Sequence, residues 1–162
     1  MRDVKEKEAD ADPAEASAGG FRATRDAHRT EIVEDYVELV AELIETMGEA
    51  RPVDIAARMG VTQPTVAKNL ARLMRDGYVT RERYRSVFLT EEGAALARAC
   101  RERHRIVVEF LLILGLDPET AEQDAEGIEH HVSEATLARF RAFIDERATP
   151  VQSAATSRAT RS

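Results

Sequence analysis

The residues best suited to chemistry lie in the stretch EGIEHH, at 126–131, which holds four potential metal ligands in six positions. On a helix, Glu126, Glu129 and His130 stand at i, i+3 and i+4 and share one face, whereas His131 points elsewhere. Carboxylates and imidazoles spaced in this way can bind a divalent cation. The same spacing also fits a polar, solvated helix face, so the stretch alone leaves both interpretations open.

Two distant segments offer further ligands. His104 falls on the apolar stripe of a predicted long helix, where a histidine is usually a core residue that needs a polar partner. An acidic stripe runs along the first predicted helix, and its members Asp35 and Glu38 flank an apolar pair in the middle of that helix. Each of these residues is as compatible with an ordinary structural role as with metal binding.

Helical periodicity and capping residues place these candidates on separate elements. A first helix is predicted from about Ala23 to Met47, and a short second helix from Val53 to Met59. A third helix, capped by Thr62 or Gln63, ends at Gly77. The segment YVTRERYRSVFLT predicts a two-stranded hairpin, because β-branched and aromatic residues flank a polar centre.

The C-terminal half is predicted to be helical throughout. Thr90 caps a long helix that runs to Leu114 and stops at Gly115. Asp117, followed by Pro and Glu, starts another helix that extends to about Val132. A last helix opens at residues 133–134.

A helix, a short helix, a tight turn, a second helix and a basic hairpin follow one another as in a winged helix-turn-helix. Residues 51–90 carry eight basic and three acidic residues, a charge of +5 in a chain whose net charge is −7. This asymmetry favours DNA binding over the alternative of a solvated helix-hairpin surface. The candidate DNA contacts are Gln63, Thr65, Lys68, Asn69 and Arg72 on the second helix of the motif, and Arg81, Arg83, Tyr84 and Arg85 on the wing.

Composition excludes several other classes of protein. No apolar run approaches the roughly 20 residues needed to span a bilayer, and the N-terminus is too charged for a signal peptide. We therefore expect a cytoplasmic protein without membrane contact. The single cysteine, Cys100, excludes an internal disulfide and a zinc site built from a cysteine cluster.

Four separated motifs carry a resemblance to a known family. EDYVELV, VTQPTVAKNLARL, RERHRIVVEFL and DAEGIEHHVSEATL resemble, in this order, the manganese-sensing branch of the diphtheria-toxin-repressor family. The resemblance extends from about Phe21 to Ala148 and implies a mainly α fold. Outside it, the polar composition of residues 1–20, rich in Ala, Asp and Glu, predicts a disordered acidic arm, and residues 149–162 are predicted to form a flexible tail. Between them we expect a winged helix-turn-helix DNA-binding domain (21–90) and an all-α dimerisation and metal-binding domain (91–148).

The resemblance also implies a set of metal ligands, contributed by three elements. They are Asp35, Glu38, His104, Glu126, Glu129 and His130. It implies two neighbouring metal ions per subunit, with Glu126 and Glu129 shared or bridging. The set comprises four carboxylates and two imidazoles, and the hard oxygen donors of the carboxylates suit Mn(II). In the iron-sensing branch, by the same resemblance, Met and Cys take the places of Asp35 and Glu126.

Together these observations predict a Mn(II)-responsive transcriptional regulator that represses manganese-uptake genes. It is expected to bind a palindromic operator in double-stranded DNA as a homodimer, and the apolar run VVEFLLIL fits a dimer core. The alternatives are an iron-responsive or a metal-independent winged-helix regulator. We do not expect an enzyme, because the Glu-x-x-His pairs of di-iron bundles and the His-Glu-x-x-His motif are absent from the sequence.

Overall fold

A computed structural model describes residues 13–81 and 86–148, with side chains described over 28–81 and 86–147. Six helices and one hairpin form in these residues, which confirms the mainly α class. The elements are α1 (Pro13–Met47), α2 (Pro52–Met59), α3 (Gln63–Arg75), β1 (Val79–Arg81), β2 (Val87–Leu89), α4 (Glu91–Leu114), α5 (Pro118–Ile128) and α6 (Glu134–Ala148). No helix of this described part is long and apolar enough to cross a membrane.

The helix boundaries follow from capping residues that the sequence displays. Thr62, Thr90 and Asp117 each have extended backbone, and each side chain accepts a hydrogen bond from the backbone N–H three residues later. Gly60 and Gly115 end α2 and α4 in the left-handed conformation, with φ of 66° and 98°. The caps thus fix where α3, α4 and α5 begin and where α2 and α4 stop.

Helix α1 begins earlier than its apolar periodicity indicates. Residues from Pro13 onward are helical, so the prediction of a disordered arm is wrong for residues 13–20. Residues 1–12 and 149–162 lie outside the described part of the chain. Proline fits a first helical turn, and the alanine-rich PAEASA segment has high helix propensity. The two glycines at 19 and 20 lower that propensity by about 1 kcal/mol each but keep their backbone N–H groups.

Helix α5 ends at Ile128, before the predicted end at Val132. Glu129 still has helical dihedrals, with φ −59° and ψ −33°, and residues 129–131 form a turn. The chain must turn here because α6 starts at once, with Ser133 accepting a hydrogen bond from the Thr136 backbone N–H at 3.2 Å. His130 therefore lies in the turn and not on the helix.

Two hydrophobic clusters divide the described residues. The first joins Tyr36, Val37 and Val40 of α1 to the buried stripe of α3 and to the inner residues of the hairpin. The second joins Ile106, Val107 and Leu111 of α4 to α5 and α6. Helix α4 takes part in both, because its Ala97 belongs to the first cluster. Helices α1 and α4 therefore pack together where the two clusters meet.

The predicted hairpin is confirmed. Strand β1 pairs antiparallel with β2 in the register Val79 to Leu89, Thr80 to Phe88 and Arg81 to Val87. The loop after α1 extends this small sheet, because the Val87 N–H donates to the Ala50 carbonyl at 2.7 Å. The wing is thus attached to α1 as well as to the helix-turn-helix.

Gly93 marks a close approach between the first turn of α4 and the hairpin. A Cβ atom at this position would lie 2.0 Å from the carbonyl oxygen of Tyr78 and 2.9 Å from its carbonyl carbon. That carbonyl oxygen accepts a hydrogen bond from the Thr90 N–H at 3.0 Å, so the backbone there is constrained. A glycine is required if the wing is to pack against α4.

We therefore expect Gly93→Ala to lower the free energy of unfolding by about 1–3 kcal/mol, as overpacked cores do. The matched control is Gly127→Ala, because a Cβ at Gly127 in α5 meets nothing within 4 Å. That substitution should raise stability by roughly 0.5–1 kcal/mol through helix propensity. Denaturant unfolding in the presence of a chelator measures both, and equal stability of the two variants would contradict the packing argument.

Candidate metal centre

A cleft of about 620 Å³ lies where α1, α4 and α5 meet, beside the end of α2. Five of the six predicted ligands line it: Asp35, Glu38, His104, Glu126 and Glu129. Asp35 and Glu38 lie one turn apart on α1, and Glu126 and Glu129 lie one turn apart at the end of α5. Residues separated by up to 94 positions in the sequence thus share one site.

His104 of α4 lies between carboxylates. Its Nδ1 atom is 2.6 Å from Glu129 Oε2 and 3.9 Å from Glu126 Oε1, and its Nε2 atom is 2.9 Å from Glu122 Oε2. Glu122 is not among the predicted ligands, although it lies one turn before Glu126 and the sequence spacing could have indicated it. His104 therefore has an acidic partner on each ring nitrogen.

His130, the sixth predicted ligand, lies behind the cleft and its side chain is only 5% exposed. Its Nδ1 atom is 2.8 Å from Glu34 Oε2. Its Nε2 atom faces two predicted ligands, with Asp35 Oδ1 at 3.4 Å and Glu129 Oε1 at 3.5 Å. Sequence reasoning missed Glu34. The one signal available is its spacing of three and seven residues from Val37 and Ala41, which places it on the buried face of α1.

Some of the predicted DNA-contacting side chains are exposed, and others bind to α1. Gln63, Thr65 and Lys68 are exposed on α3. Asn69 Nδ2 instead donates to the Tyr36 hydroxyl at 3.0 Å, which ties this helix to α1.

Arg72 forms a second link between α3 and α1, since its Nη2 atom donates to the Arg29 carbonyl oxygen at 3.2 Å. It also lies 3.5 Å from Asp76. Arg81 ends β1 and is exposed. The other wing candidates, Arg83, Tyr84 and Arg85, lie outside the described residues.

Comparison with known protein families identifies both halves of the chain. Residues 28–87 match the N-terminal DNA-binding domain of iron dependent repressors, and residues 90–150 match their metal binding and dimerisation domain. The chain belongs to the iron-dependent repressor family. Members of this family combine a DNA-binding domain with a domain that binds metal and dimerises, which agrees with the resemblance noted in the sequence.

Relatives of known name are transcriptional regulators. Transcriptional regulator MntR of Escherichia coli O6:H1 is 60% identical over 124 residues, which cover 76% of this chain and 80% of that protein. MntR of Salmonella typhimurium is 56% identical over 133 residues, covering 82% and 85%. HTH-type transcriptional regulator MntR of Listeria monocytogenes is 41% identical over 111 residues, covering 68% and 78%.

Solved structures show the same fold. A manganese-dependent transcriptional repressor in complex with manganese is 29% identical, with a TM-score of 0.63 over 70% of this chain and 52% of that one. The manganese regulator SloR is 28% identical, with a TM-score of 0.61 over 70% of this chain and 53% of that one. This chain matches about half the length of those two structures.

Within this iron-dependent repressor fold, the cleft carboxylates have raised pKa values. Burial, reinforced by the charge of Glu129, raises the pKa of Glu38 to about 7. Burial also raises the pKa of Asp35, and the nearby His130 offsets only part of the increase. For His104, burial favours the neutral ring, but the hydrogen bond to Glu122 and the charge of Glu129 outweigh it and raise the pKa. The cluster therefore retains protons because it has more acids than bases.

The donor set fits a hard divalent cation. Among the described residues no three of these groups yet surround a single point, so the ligands must move to close on an ion. Glu126 has the freedom to do so, because its side chain is 73% exposed. Cys100 does not compete, since burial raises the pKa of its thiol to about 12 and keeps it protonated. Carboxylates that are buried and held partly protonated are suited to exchanging protons for a metal.

Glu38→Gln tests this electrostatic account without any metal. The pKa of Glu38 is 4.5 in an unfolded chain and about 7 in the fold, so the native state binds more protons between these values. Stability must then fall as pH rises through this window. In the presence of a chelator, Glu38→Gln should exceed wild type in melting temperature by a margin that grows from pH 5 to pH 8.

The control for that experiment is Asp124→Asn, on the exposed face of α5. Its difference from wild type should not change over the same pH range. A margin for Glu38→Gln that is constant from pH 5 to pH 8 would contradict the assigned burial of this carboxylate.

Proposed function

We propose that this chain is a Mn(II)-responsive transcriptional regulator that represses manganese-uptake genes. The observation that carries the proposal is the cleft in which oxygen and imidazole donors from α1, α4 and α5 converge. One structural neighbour is a manganese-dependent transcriptional repressor, and the three MntR relatives are 41–60% identical to this chain. The protein acts in the cytoplasm, where it meets chromosomal DNA, and it has no catalytic role.

The ligand types favour Mn(II) over softer metals. We assign the ligands as Asp35, Glu38, His104, Glu126, Glu129 and His130, for two ions per subunit. Hard oxygen donors suit Mn(II), whereas a thiolate or thioether favours softer ions. Binding strength alone would favour zinc or copper, so selectivity for manganese must come from coordination geometry and metal availability. An iron-responsive regulator is the second candidate, because the matched domains are named for iron dependence.

Contacts between the cleft and the DNA-binding helix α3 support the proposal. Helix α1 carries Asp35 and Glu38, and Tyr36, the residue after Asp35, accepts the hydrogen bond from Asn69 of α3. A divalent cation supplies the positive charge that lets the carboxylates of α1 and α5 lie close together. The chain's own contacts then hold α3 at a defined angle to α4. We expect an equilibrium between a DNA-competent arrangement of the two domains and other arrangements. A metal shifts it toward the DNA-competent arrangement only as far as the metal binds that arrangement more tightly than the others.

An apolar surface on α4 and α6 supports the homodimer. Phe110 stacks on Phe140 with ring centroids 3.9 Å apart and meets the edge of Phe143 at 5.5 Å. Leu112 and Leu114 on the same helix are 41% and 54% exposed. A two-fold axis at this surface would present two α3 helices to half-sites of a palindromic operator, spaced by about one duplex turn.

DNA binding with and without metal tests the proposal. Fluorescence anisotropy on a palindromic operator from a manganese-transporter promoter should show tight binding with Mn(II) and at least tenfold weaker binding with a chelator. Glu129→Gln should lose most of this dependence, whereas Asp124→Asn should keep it. Equal binding of the wild-type protein in both conditions would refute metal sensing, and a response to Fe(II) alone would favour the iron-responsive candidate.

Metal preference tests the role of Glu126. We expect Glu126→Cys to shift relative affinity from Mn(II) toward Zn(II) and Co(II), because a thiolate is a softer donor. The matched control is Asp124→Cys, which adds an exposed thiol two residues away on the same helix. Competitive titration against a chelating dye measures both variants. The assignment of Glu126 as a ligand would fail if the two cysteine variants had the same metal preference.

A further inference from the structure

A buried ion pair lies beside the cleft and outside the predicted ligand set. Glu34 of α1 and Arg103 of α4 have side chains that are only 6% and 18% exposed. Arg103 Nη1 donates to Glu34 at 3.1 Å and 3.3 Å and to the Glu129 carbonyl oxygen at 3.4 Å. The pair thus joins α1, α4 and the end of α5. Because buried ion pairs are often no more stabilising than apolar residues of similar size, stability alone does not explain it.

The second partner of Glu34 is His130, whose Nδ1 atom lies 2.8 Å from Glu34 Oε2. A carboxylate only accepts hydrogen bonds, so Nδ1 must carry the proton. In the neutral ring the lone pair is then on Nε2. This atom faces Asp35 Oδ1 at 3.4 Å and Glu129 Oε1 at 3.5 Å. The hydrogen bond therefore decides which ring nitrogen faces the predicted ligands.

We propose that Glu34, held in place by Arg103, is a positioning residue that fixes the tautomer and ring orientation of His130 for metal binding. The inference rests on the proposed function and adds two residues to it. Histidine ligands of metals commonly donate their other ring N–H to a carboxylate, and loss of that partner typically costs about 10–100-fold in metal affinity. Arg103 is needed because an isolated buried carboxylate would be unfavourable.

Glu122 offers an internal comparison, since it makes the corresponding contact with His104 Nε2 at 2.9 Å. Its side chain is 63% exposed, whereas that of Glu34 is 6% exposed. Exposed charge pairs contribute little because water screens them. Removal of the Glu34 carboxylate should therefore weaken metal binding much more than removal of the Glu122 carboxylate.

The test combines a double variant with a spectrum recorded without metal. Glu34→Met with Arg103→Met removes both charges and leaves neither unpaired. Long-range ¹H–¹⁵N spectra of neutral His130, assigned with His130→Asn, should show the Nδ1–H tautomer in wild type and mainly the Nε2–H tautomer in the double variant. Mn(II) affinity should fall about 10–100-fold. An unchanged tautomer, or unchanged Mn(II) affinity, overturns the proposal.

Glu34→Gln keeps the side-chain shape and decides the question should the double variant not fold. It should give a mixture of both tautomers and a Mn(II) affinity several-fold below that of wild type; wild-type values for both overturn the proposal. The matched control is Glu45→Gln on the same helix, because Glu45 pairs with the exposed Arg101 at 2.8 Å and lies three turns away from Glu34. It should leave the His130 spectrum unchanged. A wild type that binds no Mn(II) overturns the proposed function as well, whereas a wild type and variants that bind equally overturn this inference alone.

Discussion

An excess of partly buried carboxylates lies at the junction of α1, α4 and α5, where the two halves of this protein meet. Asp35, Glu38 and Glu129 approach one another beside His104 and His130, and burial raises the pKa of each of these three carboxyls. Two unit charges 4 Å apart interact by about 4 kcal/mol at an effective dielectric constant of 20. The imidazoles compensate part of this repulsion, and protons or a cation must compensate the rest.

Helix α1 connects this charged cluster to both halves of the chain. Its buried face belongs to the same hydrophobic cluster as α3 and the wing, so the helix is packed into the DNA-binding half. Its acidic face meets α4 and α5, which belong to the second cluster. The hydrogen bond between Tyr36 and Asn69 reinforces the first attachment. The proposed route from metal to DNA therefore runs through the polar junction between two well-packed units.

Much of this arrangement could be predicted from local patterns. Thr62, Thr90 and Asp117 cap helices because their side chains accept backbone hydrogen bonds, and that property depends on residue type alone. The buried stripe of α3 follows from its apolar spacing. The convergence of Asp35 and His104 on one cleft was expected from a family resemblance and could not have been derived from spacing within either helix.

Other features depend on tertiary packing and were not predictable. Glu34 resembles the other acids of α1 until the packing of α4 buries it against Arg103. Asn69 was expected to face DNA, and its contact with Tyr36 depends on how α1 crosses α3. Helix α5 ends early because α6 starts soon after it. His130 therefore lies in the turn between the two helices, where it contacts Glu34.

Anomalous diffraction at the manganese absorption edge, from crystals grown with Mn(II), tests the central claim most directly. The account predicts two neighbouring anomalous peaks per subunit in the cleft between α1, α4 and α5. Asp35, Glu38 and His104 should surround these peaks together with Glu126, Glu129 and the Nε2 atom of His130. Anomalous peaks only elsewhere on the protein, or none at saturating Mn(II), would contradict the account.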